Sequence, residues 1–140
     1  MKNRNIDFGV LIVDDDSSSL DSLYRSLVRL KYHVYRCSQP ALAQGMIMPF
    51  RIKMLLTDIR MPVLNGFELS RQLLNIHPDL IIYGYTGFYR ESYEQEAVYS
   101  GIRQILLKPL DIRELDELIQ QELSNSQVIE PIETLKKETL

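Results

Sequence analysis

Short apolar runs alternate with helix-spaced segments along most of this 140-residue chain, five times over. That rhythm leaves few folds open. Strands separated by helices pair in parallel, and a parallel sheet needs helices on both faces to cover it. The predicted strands are residues 8–13, 34–37, 54–57, 80–85 and 105–107. The third run is apolar without alternation, as befits a strand covered on both sides. Gly84 is the one discordant residue in the fourth.

Between the strands, Leu20, Leu23, Tyr24, Leu27 and Leu30 recur at helical spacing, with Asp16 or serines 17–19 as the N-cap. Ser38, Gln39 and Pro40 open a second predicted helix, which Pro49 stops. Residues 67–75 form a third, with Leu69, Leu73 and Leu74 inward and Pro78 beyond it. Residues 91–100 form a fourth, ended by Gly101. Asp111 caps the last, whose buried stripe is Leu115, Leu118 and Ile119. The expected architecture is a single α/β (βα)5 domain, doubly wound, over residues 1–123. Residues 124–140 read as a C-terminal tail or linker, polar apart from Ile129, Ile132 and Leu135.

Composition narrows the function classes. A net charge of -3 argues against a basic face for nucleic acid. Cys37 is the only cysteine, so no internal disulfide can form and a reducing compartment is expected. No signal-peptide pattern opens the chain, and no apolar stretch approaches the roughly 20 residues that cross a bilayer. A cytoplasmic protein without membrane contact is the expectation.

The informative residues are polar and sit where strands end. Asp14 and Asp15 follow the first strand, Asp58 the third, Thr86 the fourth and Lys108 the fifth. One Asp after a strand is usually a turn residue or helix cap, and Asp16 fits that description. A lone Lys-Pro or Thr-Gly is an ordinary turn as well. Five such placements on one sheet edge are not accounted for that way. In the doubly wound order 2-1-3-4-5 the first and third strands are neighbours, and ligands bind in the crevice at their carboxyl ends. Three carboxylates crowded there repel one another. A hard divalent cation with oxygen ligands, Mg²⁺ above all, relieves the repulsion. A carboxylate can also attack phosphorus, provided a cation and a lysine neutralise the non-bridging oxygens.

On these residues the sequence resembles response-regulator receiver domains, the phospho-accepting modules of two-component signalling. The matching stretches are Leu11-Ile12-Val13-Asp14-Asp15-Asp16, Leu56-Thr57-Asp58-Ile59-Arg60-Met61-Pro62, Asn65-Gly66-Phe67-Glu68, Tyr85-Thr86-Gly87 and Leu107-Lys108-Pro109. The resemblance implies a flavodoxin-like sheet and a set of roles. Asp58 would take a phosphoryl group from the phosphohistidine of a sensor kinase or phosphotransfer protein. Asp15, Asp58 and the backbone carbonyl of Arg60 would ligate Mg²⁺, with Asp14 holding a metal-bound water. Lys108 would pair with Asp58 and then with the phosphate, Thr86 would turn to a phosphate oxygen, and Gly87 would leave the phosphate reachable. The bond before Pro109 would be cis. Phosphorylation would alter the face of the fourth helix, fifth strand and fifth helix, which would then bind a downstream protein or a second copy. The chain would not be an enzyme beyond its own phosphorylation and dephosphorylation.

One position departs from the family. Ile105 stands where many receivers carry Tyr or Phe. Tyr85, Phe88 and Tyr89 lie nearby and could substitute for that aromatic, though they read more readily as packing and surface residues. Tyr89, Tyr93 and Tyr99 form a candidate partner patch, although the helical phase of Tyr93 and Tyr99 does not put them securely on one face. Arg60 and Phe88 are placed beside the phosphate site. Two alternatives carry distinct signatures. A haloacid-dehalogenase-like phosphatase has a second aspartate two residues after its nucleophile, where this chain has Arg60. A receiver-like module that works by binding alone would leave Asp58 unmodified.

Overall fold

The computed structural model describes residues 8–122, 124 and 125. The chain divides into two compact units, Met1–Pro109 and Leu110–Leu140.

The first unit holds five parallel strands: β1 Gly9–Val13, β2 His33–Cys37, β3 Ile52–Asp58, β4 Ile81–Thr86 and β5 Ile105–Leu107. Their order is β2-β1-β3-β4-β5, as expected. All of β1 is buried, and β3 is buried apart from Lys53. These central strands tolerate unbroken apolar sequence because helices cover both faces. The core gathers Leu11 and Val13 from β1, Leu55 from β3, Ile82 from β4, and Leu69 and Leu73 from the helix Gly66–Ile76.

Helix α1 (Ser17–Arg29) starts on Asp16, whose carboxylate accepts the Ser18 amide and the Ser19 hydroxyl. It buries Leu20, Leu23 and Leu27, each worth about 1.5–3 kcal/mol on removal from water. The second predicted helix is not continuous. It is a 3-10 turn at Pro40–Leu42 followed by one helical turn, α2 (Gln44–Ile47). Gly45 between two prolines nine positions apart leaves too few good helix formers to propagate. Helix α3 (Gly66–Ile76) is capped by the Asn65 side chain on the Glu68 amide, and α4 (Ser92–Ser100) ends at Gly101.

Gly84 turns out to be a packing requirement. A Cβ there would lie 2.7 Å from Ile59 Cδ1, so glycine lets the β3–α3 connection press against β4.

In the second unit, residues 112–122 are helical. Asp111 caps them as predicted, accepting the amides of Arg113 and Glu114. Leu115 and Ile119 are buried and Leu118 partly so. The tail expected over residues 124–140 lies, from 126 onward, outside the described residues. No helix among the described residues is long and apolar enough to cross a membrane.

Candidate functional site

Strand register brings the predicted residues together. Val13 pairs with Thr57, so Asp14 and Asp58 are the next neighbours along the sheet edge. Asp58 in turn pairs with Tyr85 on β4, and Thr86 pairs with Leu107, the residue before Lys108. The result is a row, Asp14–Asp58–Tyr85, with Asp15 and Lys108 at its rim.

One oxygen from each of Asp14, Asp15 and Asp58 lies within 4.8 Å of the others. Asp14 and Asp58 are buried, while Asp15 is open to solvent. Lys108 Nζ stands 3.6 Å from Asp58 Oδ2 and 3.7 Å from Asp14 Oδ2. One lysine faces three acids, so the crevice keeps an excess of negative charge and an all-oxygen donor set. That combination could hold a hard divalent cation. Asp58 carries the mark of this crowding. Burial first, and then the charge of Asp14, push its carboxyl up to about 6, against the opposing pull of Lys108. The Arg60 backbone amide also hydrogen-bonds the Asp58 carboxylate and favours its charged form.

Thr86 is almost fully buried, and its hydroxyl is engaged with the loop it begins. Oγ1 accepts the Phe88 amide at 3.2 Å and lies 3.3 Å from the Phe88 carbonyl. A Cβ on Gly87 would meet only Lys108 Cδ, at 3.9 Å, so the protein itself leaves room there. The Lys108–Pro109 bond is cis. Gly66 lets α3 begin directly against β3. A Cβ there would come within 2.5 Å of the Asp58 carbonyl oxygen.

Two readings of the aromatic residues need correction. Tyr85 is neither simple packing nor surface. It is 2% exposed, and its hydroxyl donates to Asp14 Oδ2 at 2.8 Å. A tyrosine closing an otherwise apolar strand was the available signal, because a buried phenol needs an acceptor. Tyr93 is not part of an exposed patch with Tyr89 and Tyr99. It is buried, edge-on to Phe67 with ring centres 5.3 Å apart, while Tyr99 stays exposed. Phe88 and Tyr89 are at the surface as expected. Arg60 and Arg90 each place a guanidinium 5.9 Å from the centre of the Phe88 ring. Ile105 is partly buried against the core.

The loop between β3 and α3 contains a strained residue. Val63 has φ 71 and is fully exposed, and the Leu64 amide bonds the Pro62 carbonyl across it at 2.8 Å. A three-residue turn with positive φ is costly for a β-branched side chain. Val63→Gly is expected to raise stability by about 1 kcal/mol, the strain relieved exceeding the entropy that glycine adds to the unfolded chain. A urea titration measures it, and an unchanged or lower midpoint would refute the strain.

An open parallel sheet of order 2-1-3-4-5, with acids and a lysine at the carboxyl ends of its strands, is a flavodoxin-like arrangement. The sequence model described as the response regulator receiver domain matches residues 10–120, and the chain belongs to that family, the receivers of two-component systems. It is 32% identical over 114 residues to the response regulator receiver protein CpdR of Brucella abortus, a match covering 81% of this chain and 95% of that protein. It is 30% identical over 133 residues to the two-component response regulator ARR14 of Arabidopsis thaliana, covering 86% of this chain but 35% of that protein. Among solved structures, a CheY-like receiver domain protein from Methanospirillum hungatei JF-1 superposes with a TM-score of 0.79 at 26% identity, covering 86% of this chain and 96% of that one. The chemotaxis protein CheY4 of Vibrio cholerae shares the fold, with a TM-score of 0.76 at 24% identity over 81% of this chain and 97% of that one.

Proposed function

We propose that this receiver accepts a phosphoryl group on Asp58 from the phosphohistidine of a sensor kinase or phosphotransfer protein. The observation that carries the reading is the pairing of Asp58 with one lysine and two further acids inside a single crevice. A carboxylate oxygen of Asp58 attacks phosphorus, an acyl-phosphate bond forms, and the P–N bond to the donor imidazole breaks. The imidazole keeps the bonding electron pair and takes a proton from solvent. Lys108, already within 4 Å of Asp58, stays beside the incoming oxygens and offsets their charge.

Asp15, Asp58 and the Arg60 carbonyl are the proposed ligands of Mg²⁺, with Asp14 behind a bound water. When bound, Mg²⁺ neutralises the non-bridging phosphoryl oxygens. Thr86 can turn its hydroxyl to a phosphoryl oxygen only by giving up its contacts with Phe88, which couples the phosphate to the β4–α4 loop. The first unit's share of the output face, α4 and β5, exposes Val98, Tyr99 and Leu107. A downstream protein or a second copy docks there in this reading. Turnover is confined to the chain's own phosphate, and the site of action is the cytoplasm.

The test is intact-mass measurement after incubation with acetyl phosphate and Mg²⁺. A gain of one phosphoryl group that disappears in Asp58→Asn supports the reading. No gain in the wild type favours a module that works by binding alone.

Arg60 and Phe88, whose guanidinium and ring centre lie 5.9 Å apart, are proposed to restrict water reaching the acyl phosphate. Arg60→Ala and Phe88→Ala are each expected to speed dephosphorylation several-fold, followed as decay of the phosphorylated mass. Unchanged decay in both variants would end this idea.

A further inference from the structure

We propose that Tyr85 is a positioning residue for phosphoryl uptake at Asp58, its hydroxyl fixing Asp14 and its ring face seating the Lys108 ammonium. The inference rests on the reading of Asp58 as phospho-acceptor and extends it to a residue outside the acid–lysine set. Three contacts converge on this side chain. The Tyr85 hydroxyl donates to Asp14 Oδ2 at 2.8 Å. The Lys108 Nζ lies 5.1 Å from the centre of the Tyr85 ring. The backbone of Tyr85 is in register with Asp58 itself.

Of the contacts Asp14 makes with Asp16, Tyr85 and Lys108, the one to the Tyr85 hydroxyl is the shortest. Its Oδ1 accepts the Asp16 amide at 2.9 Å, and its Oδ2 faces Tyr85 and, at 3.7 Å, Lys108. A buried carboxylate pressed against a second one turns away unless donors pin it. Tyr85 is a dependable donor, because a phenol keeps its proton at neutral pH. With each Asp14 oxygen already holding a donor, the orientation of Asp14 beside Asp15 and Asp58 is fixed before a cation arrives. The ring adds a second constraint. An ammonium over an aromatic face is held in direction as well as in charge. Lys108 is thereby biased toward Asp14 and Asp58. Ile105 stands where many receivers carry an aromatic, and Tyr85 brings one to the acids and the lysine from β4.

Hydroxyl and ring are separable by substitution. Tyr85→Phe keeps the ring and loses the donor, whereas Tyr85→Leu loses both. Calorimetric titration with Mg²⁺ is expected to give Tyr85→Phe a Kd raised about tenfold, the usual scale for losing a hydrogen bond that orients a metal site. Its uptake from acetyl phosphate should fall at low Mg²⁺ and recover as Mg²⁺ is raised. Tyr85→Leu should show the weaker Mg²⁺ binding and, in addition, slow uptake that saturating Mg²⁺ does not restore. A merely structural role would lower the melting temperature without separating these two readouts. Wild-type Mg²⁺ affinity in Tyr85→Phe overturns the inference, and the Phe variant decides alone if the Leu variant fails to fold. A wild-type protein that takes neither Mg²⁺ nor phosphate overturns the proposed function instead.

Discussion

Asp58→Asn is expected to abolish phosphoryl uptake and, at the same time, to make the protein more stable at neutral pH. The two effects share one origin. Asp58 is held beside Asp14 in a buried crevice, and its carboxyl is pushed up to about 6 from an ordinary 3.8. Between those values the folded protein binds more protons than the unfolded chain. Stability therefore falls as pH rises from about 4 to about 6, and stays at its lower level above that. Asparagine removes the charge that creates the penalty while keeping the shape. The expected gain at pH 7 is about 1–2 kcal/mol, reduced from the full shift by the water that reaches the mouth of the crevice. It corresponds to roughly 3–8 °C in melting temperature for a chain of this size. Urea titrations from pH 4 to pH 8 should show the two proteins converging at the acid end and separating toward neutrality. Parallel curves with no pH-dependent gap would show that Asp58 carries no such charge penalty.

Lys108→Met is expected to act in the opposite sense. Methionine keeps much of the stem but removes the ammonium that stands within 4 Å of both Asp14 and Asp58. Three acids are then left with no lysine among them. Removing one partner of a fully buried ion pair costs about 3–5 kcal/mol. The Lys108 side chain is 27% exposed, so about 1–3 kcal/mol is the expected loss at neutral pH. The loss should shrink as pH falls toward 4, because a protonated Asp58 no longer needs the lysine. Phosphoryl uptake should slow as well, since the incoming oxygens would meet less positive charge. Millimolar Mg²⁺ should recover part of the stability but not the full uptake rate. A variant as stable as the wild type at pH 7 and pH 5 alike would contradict this account.

Much of the site was legible in the chain because its parts sit at strand ends. Asp14, Asp15, Asp58, Thr86 and Lys108 each interrupt the apolar pattern where a strand stops, and a parallel sheet sends all such positions to one edge. Tyr85 was hidden for the converse reason. It closes an apolar run, where a large aromatic reads as core, and only the register of β3 against β4 places its hydroxyl on Asp14. Helical phase already separated Tyr93 from Tyr99, but the burial of Tyr93 is set by Phe67 on a different helix, which the local pattern does not show. The second helix was overestimated because its two prolines mark limits without saying what lies between them. There Gly45 leaves only one helical turn. Gly84 looked like a flaw in β4 because the side chain that needs its empty space, Ile59, comes from another strand's end.

The position of β5 at the end of the sheet carries a consequence for how the molecule opens. β5 pairs with β4 through only three residues, and it alone delivers Lys108. If that margin peels away, the central strands still hold the acids together, but their counter-charge departs. Fraying at this boundary is therefore electrostatically self-limiting: the first bonds to break expose a repulsion that draws the lysine back.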